Sequence, residues 1–491
     1  MASVVQTVKA GSFLRDAVSI GTAATSSELI HDAETSGESL QRHPLGVRPS
    51  GNALTADQDL SLSMGVFGQI PDSLLLLLLE FLDQDALLKL SQTCRGLFAF
   101  ATHDQIWREL TLREIDSEVL WRGSWMSSLL KRSTRLPDID CRHLYSDALY
   151  RPFQCTYVPL EPFALNVPNH NQIPMLKDLS LDEFARNWSD KPFVLTEPVR
   201  GWSVFKEWDE KELLERYGQV KFRAEAVDWT LTNYVEYMNN NRDESPLYLF
   251  DRGFVDKMDI EVGVNGAYRS PECFNEDLFI LLGEHRPDHR WLIIGPERSG
   301  STFHKDPNAT SAWNAVIRGS KYWIMFPNSV TPPGVYVSDD QSEVTSPLSI
   351  AEWLLNFHEE ARQTPGCIEG ICHAGEVLHV PSGWWHLVVN LEPAIAITQN
   401  FVPKSHLRSA INFLKNKPDQ VSGFRSTIQD PYALFMERLQ DAHPDLYESM
   451  QANVEKKRKW EEVVAAGDEG GADRGGFSFG FGDDGLEEEL S

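Results

Sequence analysis

The sequence predicts a multidomain chain in which a small all-α unit precedes an antiparallel β barrel or sandwich, with helices returning behind it. Three observations predict it. Residues 70–110 carry apolar side chains at helical spacing. Between residues 155 and 403 the pattern changes to strand-like runs separated by polar turns. A hydrophobic content of 42% over 491 residues is enough to fill two or three cores.

Taken in order, residues 1–66 are rich in Ser, Thr, Ala and Gly without apolar periodicity and are expected as a disordered arm. In the helical unit, 67–111, Pro71 and Asp72 open a first helix. Asp83 and Asp85 separate it from a second stripe of Leu87, Leu88, Leu90 and Cys94, and three short helices are expected. The leucines at 74–79 ring their helix, more than so small a unit can bury. Residues 112–150 read as a linker. Within 151–404, strands are expected at 291–294, 312–317, 321–326, 376–380, 384–391 and 394–401. Helices return over 405–462, notably at 432–439 and 455–464, before an acidic tail, 463–491, carrying Phe477, Phe479 and Phe481. The two folds have separate apolar patterns, so they are expected to be separable.

The formal charge of −27, from 72 acidic against 45 basic residues, disfavours a nonspecific grip on nucleic acid and suits a basic protein partner. Six cysteines without a CxxC point to neither a disulfide scaffold nor a zinc finger. No basic stretch leads into an apolar one as in a secretory signal, and the longest apolar run falls far short of the roughly 20 residues of a membrane helix. A soluble protein, nuclear and/or cytoplasmic, is expected. Lys456-Lys457-Arg458-Lys459 is a candidate import signal that reads equally well as a solvated helix face.

Two His-x-Asp pairs occur, His304-Lys305-Asp306 and His443-Pro444-Asp445. The first lies among strand-like runs, where residues i and i+2 project to one side. The second interrupts a helical pattern with a proline and reads as a surface turn. Two histidines and one carboxylate on one face of an octahedron are a donor set for non-haem iron(II), with three positions left open. The third ligand would come from His358, His373, His379 or His386. His386 is favoured because Val380-Pro-Ser-Gly-Trp-Trp-His386 sets it after a tight turn on a strand; His379 comes next.

The run Gln69-Ile-Pro-Asp-Ser, the leucines that follow, Leu82-Asp83, Ser91, Cys94-Arg95, Phe98 and Ile106-Trp107 together resemble the F-box family. The resemblance implies docking to the adaptor of a cullin-RING ubiquitin ligase through exposed apolar side chains. A second resemblance rests on Gly295-Pro-Glu-Arg-Ser-Gly-Ser-Thr-Phe-His304-Lys-Asp306-Pro, Thr310-Ser-Ala-Trp-Asn314-Ala, Gly319-Ser-Lys321-Tyr-Trp, Gly375-Glu-Val-Leu-His-Val-Pro-Ser-Gly-Trp-Trp-His386 and Ile395-Ala-Ile-Thr-Gln-Asn-Phe401. These segments resemble the arginine-demethylase/lysyl-hydroxylase branch of the Jumonji-C oxygenases. The likeness begins near Pro162, includes Ser245-Pro-Leu-Tyr248-Leu-Phe-Asp251 and extends over more than half of the chain.

This second resemblance implies a double-stranded β-helix, the cupin-like jelly roll, with flanking helices. It implies Fe(II) held by His304, Asp306 and His386, and 2-oxoglutarate whose distal carboxylate meets Lys321. Asn314, Tyr248, Ser301 and Thr398 match positions lining the cosubstrate pocket. The reaction implied is decarboxylation of 2-oxoglutarate to succinate coupled to lysyl hydroxylation or demethylation of a protein side chain. Arg318-Gly319-Ser320 reads as a hairpin turn that resets the alternation, so that Asn314 and Lys321 both point inward. A buried lysine needs an anion, which a dicarboxylate provides. Lys305 stands where the branch has an apolar residue and should point away from the metal; the F-box precedes the Jumonji domain, and the branch's polyserine tail is missing. The substrate is therefore not carried over. Two other readings stay open: an F-box receptor that recognises substrate with little or no turnover, and an RNA hydroxylase, which the acidic charge disfavours.

Overall fold

The computed structural model describes residues 41–113, 119–133, 137–347 and 349–451. The N-terminal arm up to residue 40, the basic run Lys456 to Lys459 with the helix expected around it, and the acidic tail lie outside the described residues. The chain divides into two units, residues 1–429 and 430–491. In the second, a helix spans Pro431–Ala442, and its Asp430 cap accepts from Ala433 N at 2.9 Å. His443 and Asp445 follow it and are exposed.

The F-box-like segment forms four helices rather than three: α1 Asp72–Leu79, α2 Gln84–Leu90, α3 Arg95–Ala101 and α4 Asp104–Arg113. Pro71 precedes the first, and the Asp83 side chain caps the second by accepting from Ala86 N. The extra break falls at Thr102, whose hydroxyl donates back to Phe98 O at 2.7 Å while its backbone leaves the helix. Of the leucine run, Leu75 and Leu79 are buried, but Leu74, Leu77 and Leu78 stay 42%, 37% and 48% exposed, with Phe81 beside them at 79%.

The arm expected to be disordered as far as residue 66 has structure from residue 41. Val47 and Met64 are buried, and Gly96 leaves room for Met64, whose Sδ would lie 2.5 Å from a Cβ there. The stretch expected as a linker contributes a helix, Trp125–Leu129, with Trp125 buried among Trp121, Trp229 and Tyr237.

The β domain contains β1 Met175–Leu176, β2 Phe193–Leu195, β3 Lys221–Ala224, β4 Val227–Thr230, β5 Leu249–Asp251, β6 Arg290–Gly295, β7 Gly300–His304, β8 Ser311–Arg318 and β9 Ser320–Phe326. After these come β10 Tyr336–Val337, β11 Val344–Thr345, β12 Ile368–His373, β13 Val377–Val380, β14 Trp385–Asn390 and β15 Ala394–Phe401. A nine-stranded sheet runs β1-β2-β13-β8-β15-β6-β5-β3-β4, and a four-stranded sheet runs β12-β9-β14-β7. Their inner faces meet in one apolar cluster that joins Ala312, Val316, Leu378 and Val380 of the large sheet to Trp323, Met325, Cys372 and Val388 of the small one. Helix α5, Ile350–Gln363, covers the outside of the small sheet with Trp353 and Leu354.

The turn after β8 is not a hairpin. β8 and β9 belong to different sheets, and Gly319 (φ +78°) carries the chain from one to the other; a Cβ there would meet Pro393 O at 2.4 Å. The inward set therefore changes from even residues on β8 to odd residues on β9, so Asn314 and Lys321 share the interior for a different reason than expected.

The helical unit and the β domain are not separate cores. One continuous apolar cluster includes Leu75, Leu79, Phe100 and Trp107 of the F-box-like segment, Trp125, and the outer face of the large sheet through Trp313, Ile317, Ile395 and Ile397. The expectation of separable folds is corrected on this observation, since sequence periodicity shows which residues are apolar but not which faces share a core. Among the described residues no single helix is long and apolar enough to cross a membrane.

Candidate functional site

His304 ends β7, His386 lies opposite it on β14, and the two are register partners. Their ring centroids are 4.1 Å apart. Two residues on, the chain turns at Asp306, bringing Oδ2 to 3.9 Å from His386 Nε2. The His304 Nδ1–H donates to Thr302 O at 2.8 Å, and the His386 Nδ1–H to Trp384 O at 3.2 Å. A carbonyl only accepts, so both tautomers are set and both Nε2 lone pairs are free to bind a metal. Among the described residues neither Nε2 has a hydrogen-bond partner.

Burial pushes the pKa of each histidine down to about 4 and that of Asp306 up to about 6. At neutral pH the cluster is thus two neutral imidazoles beside a carboxylate rather than an ion pair. Asp306 Oδ1 accepts from Asn400 Nδ2 at 3.3 Å, while Oδ2 is buried with no partner. An orphaned carboxylate oxygen facing two uncommitted imidazole nitrogens is a donor set that a divalent cation would complete. No trio of His, Cys, Asp or Glu among the described residues is already closed to ligating spacing. What distinguishes these three is convergence combined with unspent donor atoms.

The other histidines point elsewhere. His379 faces outward from β13, packed on Phe193, Phe274 and Phe184, with Nδ1 on Lys191 O at 3.0 Å. His358, on α5, bonds Tyr322 Oη at 2.9 Å, and His373 is exposed.

Lys321, on β9, is 0% exposed. Its ammonium donates to Tyr248 Oη at 2.6 Å and Asn390 Oδ1 at 2.7 Å, and burial draws its pKa down to about 7. Among the described residues no carboxylate pairs with it. Asn314 lies across from Thr398 in the register and has a buried Oδ1 without a partner; the Thr398 hydroxyl donates to Trp313 O at 2.9 Å. Ser301 pairs with Val388, and a bulge between that pair and His304–His386 lets Ser301 share the inner face with His304. Among the described residues the hydrogen bonds of Lys321 go to Tyr248 and Asn390, not to Ser301.

Lys305 turns away from the cluster, its ammonium 4.4 Å from the Trp385 ring centre and 2.5 Å from Asn328 Oδ1. Two functional neighbours were given no role from sequence. Asn390 holds Lys321 and is itself fixed by Ser299 Oγ at 3.0 Å. Asn400 bridges Asp306 and Thr310. Each is a polar residue in register with an inward site residue of its own strand, Asn390 with His386 and Asn400 with Thr398, the signal that would have found them.

The cupin-like domain family matches residues 187–406, and the F-box-like family matches residues 67–113. Arginine-specific demethylase JMJ22 of Arabidopsis thaliana is 37% identical over 456 residues, covering 88% of this chain and 88% of its own length. Bifunctional arginine demethylase and lysyl-hydroxylase psr-1 of Caenorhabditis briggsae is 31% identical over 259 residues, 49% of this chain and 64% of its own length. 2-oxoglutarate and iron-dependent oxygenase JMJD4 of Danio rerio is 34% identical over 177 residues, 34% of this chain and 39% of its own length. With its F-box-like segment ahead of its cupin-like domain and its close likeness along most of the plant relative, the chain belongs to the Jumonji-C family of cupin-like oxygenases.

Proposed function

We propose that the chain is an Fe(II)- and 2-oxoglutarate-dependent oxygenase acting on a protein side chain, with His304, Asp306 and His386 as iron ligands and Lys321 as the anchor of the cosubstrate. The observation that carries this is a conjunction inside one sheet sandwich: two free imidazole Nε2 atoms, an orphaned Asp306 oxygen and a buried lysine without a carboxylate partner. Iron(II) held by these ligands would supply the oxidising power with 2-oxoglutarate and oxygen, one atom of O2 ending in succinate as carbon dioxide is lost and the other in a substrate C–H bond.

The chain's own residues bind and orient. Lys321 meets the distal carboxylate, held on line by Tyr248 and Asn390. Asn400 keeps Asp306 aimed inward, and Asn314 Oδ1 is an unspent acceptor on the pocket wall. The names of the relatives point to arginine and lysine side chains, both of which a chain of charge −27 would attract. Hydroxylation at a methylene leaves an alcohol; at an N-methyl carbon it leads to loss of formaldehyde. The exposed Leu74, Leu77, Leu78 and Phe81 give the F-box-like segment an apolar face for a ligase adaptor. Mass spectrometry of basic peptides, methylated or not, after incubation with the protein, iron and 2-oxoglutarate tests the reading. A gain of one oxygen or a loss of a methyl group supports it; peptides left unaltered where the adaptor binds would favour a receptor.

A further inference from the structure

The F-box-like segment reaches the cosubstrate pocket through one buried cation. Arg108, on α4, donates from Nη1 to Ser245 O at 2.7 Å, with its guanidinium 3.5 Å from Glu225 and 3.8 Å from Asp243. Glu225 accepts the backbone N–H of Tyr248 at 3.1 Å, and the hydroxyl of that tyrosine accepts from Lys321 at 2.6 Å. Asp243 also takes Trp125 Nε1 at 2.9 Å and Tyr237 Oη at 2.6 Å, and Arg298 donates to its carbonyl at 3.0 Å. Residues 243–248 lie ahead of β5, whose ladder begins at Leu249, so on the approach side Tyr248 is set by side-chain bonds, those of Arg108 and Glu225 together with the Tyr234 and Tyr237 hydroxyls on Leu247. Without the guanidinium, Glu225 and Asp243 lose their shared counter-charge and Ser245 O loses its donor.

We propose that Arg108 is a positioning residue for the cosubstrate pocket: from the F-box-like segment it fixes Glu225 and residues 243–248 so that Tyr248 stands against Lys321. This rests on the assignment of Lys321 to 2-oxoglutarate and adds that the pocket is incomplete without α4. The test uses the full chain as wild type, Arg108→Met, Arg108→Lys and Glu225→Gln, with two readouts: hydrogen exchange at the Tyr248 amide, and anaerobic 2-oxoglutarate titration of manganese-loaded protein.

Arg108→Met should speed exchange at Tyr248 and weaken 2-oxoglutarate binding by about tenfold, the worth of roughly one hydrogen bond, with manganese affinity unchanged. Arg108→Lys and Glu225→Gln should shift both readouts in the same direction by less, and they decide the matter if Arg108→Met does not fold. Wild-type exchange in the variants, or faster exchange with unchanged 2-oxoglutarate affinity, overturns the proposal. If wild type binds no 2-oxoglutarate while exchange still quickens in the variants, the cosubstrate reading fails and the positioning of Tyr248 by Arg108 stands.

Discussion

Lys321→Ala removes a fully buried ammonium whose contacts are Tyr248 and Asn390 and which has no carboxylate partner among the described residues. A dicarboxylate entering the pocket supplies the missing counter-charge, and losing one member of such a buried pair costs roughly 3–5 kcal/mol. At about 1.4 kcal/mol per factor of ten, Lys321→Ala should weaken 2-oxoglutarate binding by two to four orders of magnitude. The lysine adds a pH signature, since burial draws its pKa from 10.5 to about 7. Between those values the unfolded chain holds the proton and the folded chain does not, so the lysine's drag on stability eases as pH rises through that window. A bound dianion acts in the opposite sense, raising the lysine pKa and taking up a proton. Wild-type affinity for 2-oxoglutarate should therefore fall as pH rises above about 7, and Lys321→Ala should lose that slope. Anaerobic calorimetric titration of metal-loaded protein across this range reads both effects. Equal affinities in the two proteins, or a wild-type affinity without the pH slope, would refute the reasoning.

Asp306→Ala should abolish metal binding and turnover while leaving the fold intact, whereas Asp445→Ala, at an exposed position in the helical stretch that follows His443, should change neither; metal titration with a melting curve reads this out. Asn400→Ala removes the donor to Asp306 and should weaken metal binding by about ten- to a hundredfold, the usual effect of losing a hydrogen bond to a ligand. Leu77→Ser with Leu78→Ser should reduce adaptor binding in a pull-down or titration, by roughly 0.5–1.5 kcal/mol per leucine since less than half of each is open to a partner, without altering 2-oxoglutarate affinity. Gly319→Ala puts a Cβ against Pro393 O at a positive φ and should lower stability by about 1–3 kcal/mol in thermal melts.

Much of the β domain was legible because its strands are short, rich in β-branched and aromatic residues and punctuated by Gly and Pro. The expected runs at 312–317, 321–326 and 394–401 became Ser311–Arg318, Ser320–Phe326 and Ala394–Phe401. His386 was favoured over His379 for the tight turn before it and for the resemblance; that one faces inward from β14 and the other outward from β13 has meaning only once the sheet has an inside. The Gly319 corner was misread as a hairpin because a glycine turn between two apolar runs has the same local chemistry whether the runs pair or part into different sheets. Least legible was the union of the F-box-like segment with the β domain. Trp125 and Arg108 look like features of a linker and a helix surface until Asp243, over a hundred residues away, is folded against both.

Succinate release by the purified chain supplied with iron, 2-oxoglutarate and oxygen tests the central claim most directly. Wild type should form succinate only when iron is present, and His304→Ala should form none although it remains folded. Iron-dependent succinate from His304→Ala at the wild-type rate, or none from wild type that binds both iron and 2-oxoglutarate, would contradict the assignment of this site as the oxygenase centre.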